Sequence, residues 1–483
     1  MTDGGERRYQ PDYPASVLGE QPDSSFELRA QILDATRRYA KALLEPAEFV
    51  PGSTHIPVSG KVLAPADFVT SVDAVLDGWF TAGARVADFE HELADRVGVR
   101  HAIMVNSGSS ANLLALTALT SPQLGNRQLV PGDEVISAGM SFPTTINPIL
   151  QNGLRPVLVD VELGGYNAIP EQLAAAVGPR TRAIMMAHTL GNPFDLDAVL
   201  DLCRRHRLWL IEDACDALGS EYLGRQVGTF GDLATLSFYP AHQITTGEGG
   251  AILTNRPLLR RIIESFRDWG RDCYCETGED NACRRRFNWI IDGDPPIVYD
   301  HKYVYSHVGY NMKPTDIQAA LGNSQLARLA DFVQARRSNF RYLRERLAGV
   351  PGLILPTATA GSDPSWFGFP LTIEPGSDAD RDEFARFLSL RNIGWRGMFA
   401  GNVLRQPAYR GRDFRVVGKL VNSDTVLTRS LYLGVFPGLS RAMLDFVADS
   451  IAEFMADPVH AAIGAREEMV ERGQDHRRVP HRR

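Results

Sequence analysis

Four cysteines and one histidine are the residues of this sequence whose types and spacing point most directly to chemistry. The cysteines follow the spacing C-x57-C-x-C-x7-C and are Cys215, Cys273, Cys275 and Cys283. Four thiolates suit either a [2Fe–2S] cluster or a Cys₄ zinc site, and the residue types alone do not choose between the two. His242 lies in residues 237–250, between a short apolar run and a group of glycines. An imidazole in such a turn can accept and donate a proton near neutral pH.

A carboxylate and a hydroxyl-rich turn follow two other apolar runs. Asp213 comes directly after the run that contains residues 209–211, where burying a carboxylate is costly without a partner. The turn at residues 106–110, N-S-G-S-S, joins an expected strand to a helix that starts near Ala111. Its backbone N–H groups, its hydroxyls and the helix dipole would suit a phosphate. Taken singly, both features are also typical of ordinary helix caps.

Residues 237–250 read S-F-x-x-x-H-x-x-T-x-G-E-G-G, which resembles the cofactor-anchoring segment of the DegT/StrS-type sugar aminotransferases. These are fold-type I enzymes that use pyridoxal phosphate (PLP). In them the sixth position of the segment is the lysine that forms a Schiff base with the cofactor. Here that position is His242, and an imidazole cannot form an imine. The resemblance therefore points to the family's histidine branch, the nucleotide-sugar 3-dehydratases. The lysines of the chain all lie elsewhere, at Lys41, Lys61, Lys302, Lys313 and Lys419.

The resemblance also implies a cofactor-binding set. The phosphate would be held by the turn and by a second hydroxyl, and reached by an asparagine from the neighbouring subunit of a dimer. One carboxylate would hold the protonated ring nitrogen, one would stand beside the ring hydroxyl, and an aromatic ring would stack on the cofactor. In that order, these residues are Gly108, Ser109, Ser110, Ser237, Asn311, Asp213, Asp216 and Phe142.

The implied activity is removal of the C3 hydroxyl from a nucleotide-diphospho-4-keto-6-deoxyhexose linked to CDP or dTDP. Without the lysine, the cofactor would stay non-covalently bound as pyridoxamine 5'-phosphate (PMP), whose amine condenses with the 4-keto group. His242 would remove the C4' proton of this C4 ketimine adduct, and the C3 hydroxyl would leave as water. A positioned base typically contributes about 10²–10⁴-fold to such a step.

The resemblance chooses iron over zinc for the four cysteines, because 3-dehydratases with a [2Fe–2S] cluster share their spacing. Cys215 lies two residues after Asp213, so the cluster would lie close to the cofactor. It would pass two electrons from a ferredoxin- or flavin-type reductase to the dehydrated adduct, which completes a step of deoxysugar biosynthesis. Cys203, outside the spacing, is expected to pack in the core.

Two alternatives remain open at this point. One is a PMP-dependent 3-dehydratase that needs no cluster and regenerates PMP with glutamate. The other is a catalytically inactive relative that binds sugar nucleotides. The arginines at residues 284–286 could neutralise a cluster, bind a pyrophosphate, dock an electron donor or form a solvated charge run. The sequence does not choose between them, or between CDP and dTDP.

The elements that must position these residues alternate between short apolar strands and helices. The predicted strands of the first half are residues 102–105, 134–137, 156–159, 183–186 and 209–211. Alternation of this kind predicts parallel strands with right-handed crossovers. Together with the resemblance it predicts an α/β protein of the PLP-dependent transferase class, similar to aspartate aminotransferase. We expect a large, mixed and mostly parallel sheet and a smaller C-terminal α/β domain.

The expected domain limits follow from changes in this pattern. Residues 1–50 form an N-terminal extension, disordered to about residue 23 and then helical, with a capping box at Ser24 and Glu27. Residues 51–345 form the large cofactor-binding domain, with an irregular insertion at about 270–302. Residues 346–465 form the small domain. In it we expect strands near 367–373 and 430–435 and helices near 381–390 and 441–455. Residues 466–483 form a charged, flexible tail.

Composition supports a soluble enzyme rather than a nucleic-acid or membrane protein. The chain has 483 residues, 44% of them apolar, and a net charge of −7 without a broad basic stretch, so nucleic acid is not an expected partner. No run of 18 apolar residues occurs and the N-terminus is polar, so we expect a cytoplasmic protein without membrane contact. Its five cysteines are then expected to be thiols or metal ligands rather than disulfides.

Overall fold

The structure is a computed structural model that describes residues 23–273, 275, 281, 284–459, 461 and 465. The α-helices are α1 (Asp23–Leu43), α2 (Pro65–Leu76), α3 (Ala84–Val97), α4 (Gly108–Ala118), α5 (Pro143–Gln151), α6 (Pro170–Ala176), α7 (Leu196–His206), α8 (Pro257–Arg267), α9 (Asp316–Leu326), α10 (Leu329–Leu347), α11 (Arg381–Leu390), α12 (Val421–Arg429) and α13 (Arg441–Ala456). Short 3₁₀ helices cover Pro122–Arg127, Thr189–Gly191, His301–Tyr303, Val403–Arg405 and Pro407–Tyr409.

The strands are β1 (His101–Val105), β2 (Glu134–Ala138), β3 (Arg155–Val159), β4 (Thr181–Ala187), β5 (Trp209–Asp213), β6 (Glu221–Tyr222), β7 (Arg225–Gln226), β8 (Leu233–Ser237), β9 (Gly250–Thr254), β10 (Trp289–Ile291), β11 (Ile297–Tyr299), β12 (Leu353–Ile354), β13 (Ser362–Asp363), β14 (Gly368–Ile373), β15 (Arg396–Gly397), β16 (Arg415–Val416) and β17 (Ser430–Gly434).

An eight-stranded sheet with the order β1-β9-β8-β5-β4-β2-β3-β16 forms the centre of the protein. The neighbours from β8 to β16 pair in parallel, whereas β9 runs antiparallel to both β1 and β8. Every residue of β2, β5 and β9 is buried, as expected for strands covered by helices on both faces. The predicted α/β class and the mixed, mostly parallel sheet are confirmed.

A second, antiparallel sheet lies in the C-terminal part of the chain, with the order β12-β14-β17-β15. Helices α11 and α13 pack on it around a separate apolar core. Helix α10 spans the predicted domain limit and contributes to both cores, with Val333 in the large one and Leu343 in the small one. The limit at residues 345 and 346 stays a prediction.

The C-terminal part also returns to the large sheet. Strand β16 extends the edge of that sheet by pairing Arg415 with Val157. The strand has only two residues, Arg415 and Val416, which is too short a run to identify this pairing from the sequence. Strands β15 and β16 therefore belong to different sheets, β15 to the small antiparallel sheet and β16 to the large one.

The N-terminal helix and the insertion keep their predicted places in the chain. Helix α1 is held by Arg29, which forms ion pairs with Asp73 and Asp77. Two large side chains of α1, Ile32 and Tyr39, are exposed in the single chain. The insertion stays outside the main sheet, although β10 and β11 pair with each other as a hairpin.

No helix in the described part of the chain has both the length and the apolar character needed to cross a membrane. The predictions of a disordered start and a flexible tail concern residues 1–22 and 466–483, which lie outside the described residues.

Candidate active site

One cavity of about 550 Å³ collects the chemistry-bearing residues that the sequence places at separate points of the chain. It opens where β1, β5 and β8 end, which is where parallel α/β sheets commonly bind ligands. Of the predicted site residues, those that line it are Gly108, Ser109, Phe142, Asp213, Cys215, Asp216, Ser237 and His242. The fold therefore brings together residues up to 134 positions apart, from Gly108 to His242 (242 − 108).

The turn after β1 forms the N-terminus of α4. Ser107 is the N-cap, and its Oγ accepts a hydrogen bond from the Ser110 backbone N–H at 3.1 Å. The Ser110 hydroxyl also lies 3.0 Å from Ser107 Oγ, so Ser110 stabilises the cap, whereas Ser107 and Ser109 line the cavity. A Cβ on Gly108 would lie 2.4 Å from Ser237 Cβ. Only glycine lets the serine of β8 approach the turn, which leaves a cradle of hydroxyls and N–H groups.

Asp213 ends β5 as a buried carboxylate with three donors. Its Oδ2 accepts hydrogen bonds from Asn112 Nδ2 at 2.9 Å and Thr145 Oγ1 at 2.7 Å. Its Oδ1 accepts from the Cys215 backbone N–H at 3.2 Å. Thr235 donates in turn to Asn112 Oδ1 at 2.6 Å. This network fixes the carboxylate at the cavity wall, as a buried charge requires.

Asn112, Thr145 and Thr235 were missed in the sequence. The available signal was weak: Asn112 is a polar residue in the apolar stretch of α4, and the two threonines lie next to apolar residues. Only their convergence on Asp213 reveals what they do.

His242 faces Asp216 inside the cavity. The Nδ1 atom of His242 lies 3.4 Å from Asp216 Oδ1, and both side chains are about 15% exposed. This is an ion-pair distance without hydrogen-bond geometry, and Nδ1 has no hydrogen-bond partner among the described residues. On the other side, the ring centroid of Phe367 lies 5.1 Å from that of His242. Asp216 is thus placed to orient the imidazole.

Two buried side chains hold the backbone around this pair. Arg336 Nη2 donates to the His242 carbonyl at 3.1 Å, and its Nη1 donates to the Phe367 carbonyl at 3.2 Å. Gln243 Nε2 donates to the carbonyls of Asp216 and Ser365. These contacts tie the His242 loop to the start of the small sheet, and the sequence gives no indication of them.

Phe142 and Asn311 lie at the edges of this arrangement. Phe142 is half exposed at the cavity, with its ring 5.9 Å from that of Phe399 and nearly perpendicular to it. Asn311 forms a β-bridge with Asp268 and is not among the described residues that line the cavity of its own chain. The prediction that Asn311 completes the site of a second subunit stays a prediction.

The cysteines are only partly brought together. Cys215 lines the cavity, and burial together with the nearby charges of Asp213 and Asp216 raises the pKa of its thiol well above the usual range. Cys273 and Cys275 lie in an irregular segment that begins beside the bridge between Arg271 and Tyr305.

Cys283 lies outside the described residues. Within the described part of the chain, no group of three or more His, Cys, Asp or Glu side chains is close enough to hold a metal. The four-cysteine cluster therefore stays a prediction. Cys203 packs partly buried against the large core, as expected.

A buried His–Glu pair stabilises the strand that carries Asp213. Glu212 accepts hydrogen bonds from the backbone N–H groups of Gly228, Phe230 and Gly231. His188 Nε2 lies 3.1 Å from Glu212 Oε2, and both side chains are fully buried. The backbone N–H of Phe194 donates to His188 Nδ1, so Nε2 carries the proton and donates to Glu212.

Comparison with known proteins gives a consistent result. The family model described as the DegT/DnrJ/EryC1/StrS aminotransferase family matches residues 64–452. The chain is 55% identical over 445 residues to a protein of Saccharopolyspora spinosa named dTDP-4-dehydro-2,6-dideoxy-D-glucose 3-dehydratase, covering 92% of this chain and 95% of that one. It is 51% identical over 428 residues to the lipopolysaccharide biosynthesis protein RfbH of Salmonella typhimurium, covering 88% and 98%.

A solved structure is also similar over most of the chain. It is the E. coli GDP-4-keto-6-deoxy-D-mannose-3-dehydratase with bound hydrated PLP. The TM-score is 0.74 with 27% sequence identity, covering 82% of this chain and 98% of that one.

Proposed function

The chain belongs to the DegT/DnrJ/EryC1/StrS aminotransferase family, and we propose that it is a PMP-dependent nucleotide-diphospho-4-keto-6-deoxyhexose 3-dehydratase. The observation that carries this proposal is a histidine, His242, beside Asp216 in the same cavity as the buried Asp213. The names of similar proteins, two of them 3-dehydratases of nucleotide sugars, support the substrate class.

The residues around the cavity suit PMP in three respects. The cradle at Gly108 offers backbone N–H groups and hydroxyls to a phosphate, with no room for a larger residue. Asp213 is a carboxylate fixed at the cavity wall, suited to hold a protonated pyridine nitrogen. Phe142 offers an apolar ring at the opening. When bound, PMP supplies the amine that joins the sugar's C4 and a ring that accepts electrons.

In this proposal His242 transfers the proton at the C4' carbon of the cofactor, and its protonated ring then assists departure of the C3 hydroxyl as water. The Asp216 carboxylate lies 3.4 Å from Nδ1 and attracts the ring when it is protonated, and Nε2 is left to act on the ligand. Phe367 and Arg336 hold the ring and its backbone from the other side. Because a histidine cannot anchor the cofactor covalently, the non-covalent contacts of the cradle, Asp213 and Phe142 must retain it.

We further propose that Cys215, Cys273, Cys275 and Cys283 hold a [2Fe–2S] cluster that delivers two electrons from a ferredoxin- or flavin-type reductase. Support comes from the four-thiolate set and from Cys215, whose position at the cavity would bring a cluster close to the cofactor. The raised pKa of Cys215 does not prevent it from serving as a metal ligand, because a metal that binds the sulfur displaces its proton. The proton transfers assigned to His242 do not depend on the cluster.

The test uses purified protein loaded with PMP and a dTDP-linked 4-keto-6-deoxy sugar, with CDP- and GDP-linked sugars in parallel. We expect loss of the C3 hydroxyl in the wild type. In His242→Asn, turnover should fall by about 10²–10⁴-fold, the contribution of a positioned base, with PMP binding retained. A His242→Asn protein as active as the wild type would refute the proposed role.

The two ways of closing the cycle are separated in the same assay. A protein with a cluster contains two irons per chain, gives an EPR signal on reduction, and needs a reductant but no glutamate. The alternative, a cluster-independent enzyme, contains no iron and turns over repeatedly with glutamate alone. Wild-type protein that binds PMP but removes no hydroxyl under either condition would indicate the inactive relative.

A further inference from the structure

The charges around the active-site cavity are unfavourable for an anionic substrate. Asp213, Asp216 and Glu248 all line it. Among the described residues of its lining, Arg396 is the only lysine or arginine. A nucleotide-linked sugar carries two negative charges on its diphosphate and must enter beside these carboxylates. The cation that offsets this repulsion is therefore a residue of particular interest.

Arg396 is presented to the cavity by strand pairing. It lies on β15 directly opposite Tyr432 on β17, so the two side chains project from the same face of the small sheet. Burial raises the pKa of Tyr432, the charge of Asp216 raises it further, and the charge of Arg396 opposes that change. Tyr432 thus lies within electrostatic reach of both Asp216 and this arginine.

The guanidinium of Arg396 is available to a ligand. The side chain is exposed, and its one hydrogen bond runs from Nη1 to the Trp395 carbonyl at 2.8 Å. Among the described residues it forms no ion pair with a carboxylate, whereas Arg405 nearby in the chain is paired with Asp424. The remaining N–H donors of Arg396 form a fork that matches phosphate oxygens.

Arg396 also lines a second, open cavity of about 390 Å³. Its described lining includes His55, Asn392 and Trp395 and contains no aspartate or glutamate. The indole N–H of Trp395 donates to Ser389 Oγ at 2.9 Å, and the ring packs partly against the small core. This fixes the ring and leaves its carbon surface to the cavity.

Asn392 completes the second cavity in an uncommon backbone conformation. Its φ angle is 57°, in the left-handed region, and its Nδ2 donates to the Gly52 carbonyl at 2.6 Å. The amide nitrogen of Asn392 is therefore used. Its Oδ1 is free of hydrogen-bond partners in the described chain and can accept one from a base.

We propose that Arg396 binds the diphosphate of the substrate, with the sugar in the active-site cavity and the nucleoside in the second cavity against Trp395. This inference rests on the proposed function, because it assigns the parts of a nucleotide sugar to two cavities that share one arginine. Arg396 is then a specificity residue that selects diphosphate-linked sugars over free sugars, and Trp395 supplies a stacking surface that tolerates different bases.

The test measures binding of dTDP, CDP, GDP and thymidine to the PMP-loaded protein by calorimetry. In Arg396→Gln we expect dTDP affinity to fall by about 10–100-fold, the loss of a bidentate charged contact, until dTDP binds no better than thymidine. Arg396→Lys should recover only part of the affinity. Trp395→Ala should weaken dTDP and thymidine by the same factor. Arg412→Gln, an exposed arginine outside both cavities, is the matched control.

Two readouts separate this inference from general damage and from the proposed function. PMP binding by Arg396→Gln should equal that of the wild type, and the variant should raise KM for the nucleotide sugar far more than it lowers kcat. The inference is overturned if Arg396→Gln binds dTDP within twofold of the wild type, if Arg412→Gln loses as much, or if the wild type binds none of the three nucleotides. Failure of the proposed function has a different signature: nucleotide binding depends on Arg396, but no 4-keto sugar is dehydrated.

Discussion

Arg336 offers the sharpest prediction about how the fold holds His242, the proposed catalytic histidine. It is 1% exposed, and its guanidinium donates to four backbone carbonyls at 3.1–3.4 Å. Two belong to Ala241 and His242, and two to Trp366 and Phe367. The described structure places no carboxylate within ion-pair distance of it. We choose Arg336→Met, which keeps much of the side-chain length and removes the charge and the donors.

Two opposing contributions determine the stability of this variant. Burial lowers the pKa of Arg336 from 12.5 to about 10, against the charge of Asp216, so keeping the guanidinium charged at neutral pH costs about 3 kcal/mol. Methionine removes that cost but leaves four carbonyls without their donor. Because the lost donor is charged and the four carbonyls stay buried, each costs about 1–2 kcal/mol even at these long distances, or about 4–8 kcal/mol together. The lost hydrogen bonds therefore outweigh the relieved cost of the buried charge by about 1–5 kcal/mol.

We therefore expect Arg336→Met to be less stable than the wild type by about 1–5 kcal/mol and to turn over about 10–100-fold more slowly. The loop that presents His242 and the strand start that presents Phe367 are no longer joined, so the imidazole loses its fixed position. Arg336→Lys should be less stable than the methionine variant, because it keeps the buried charge and loses the fork.

The assay combines the midpoint of denaturant unfolding at fixed protein concentration with kcat, KM and PMP affinity. Arg337→Met is the matched control. That side chain is on the same helix and also donates to backbone carbonyls, those of Gly219, Asp363 and Pro364, but does not contact the His242 loop. The reasoning is refuted if Arg336→Met keeps full kcat, or if it is as stable as the wild type, because four buried carbonyls would then have lost a charged donor at no cost.

Three further predictions follow from single contacts. Gly108→Ala places a Cβ 2.4 Å from that of Ser237, so PMP affinity should fall by at least about tenfold in a fluorescence titration; the control is Gly178→Ala, outside the cradle, where a Cβ would meet nothing closer than 3.7 Å. Asp213→Asn replaces a carboxylate that accepts three hydrogen bonds, and PMP affinity should fall by about 10–100-fold; unchanged affinity would remove Asp213 from the cofactor site. Burial raises the pKa of Cys203 from 9.0 to about 12, so its thiolate fraction at pH 8 falls by about 10³-fold, and mass-spectrometric mapping should find it alkylated by iodoacetamide correspondingly slowly; rapid labelling in the folded protein would contradict this.

The local chemistry of this protein is determined by its sequence. The strands that end at Val105, Asp213 and Ser237 are largely apolar runs, which favour a sheet covered by helices on both faces and mostly parallel. At Gly108 and His242 the residue type alone is informative. Glycine allows Ser237 to approach closely, and histidine can transfer protons but cannot form an imine. These features, with their order along the chain, suffice for the fold class.

The tertiary structure alone decided which groups support that site. The hydrogen bonds of Asn112 and Thr145 to Asp213, the clamp of Arg336 on His242, and the arrival of Arg396 at the cavity each join segments that lie about 70–180 residues apart. A buried polar side chain acts through the particular atoms that surround it, and the sequence around it carries no trace of those partners. Strand β16 shows the same limit for the fold, because a strand of two residues pairs at a sheet edge only when the rest of the chain has brought it there.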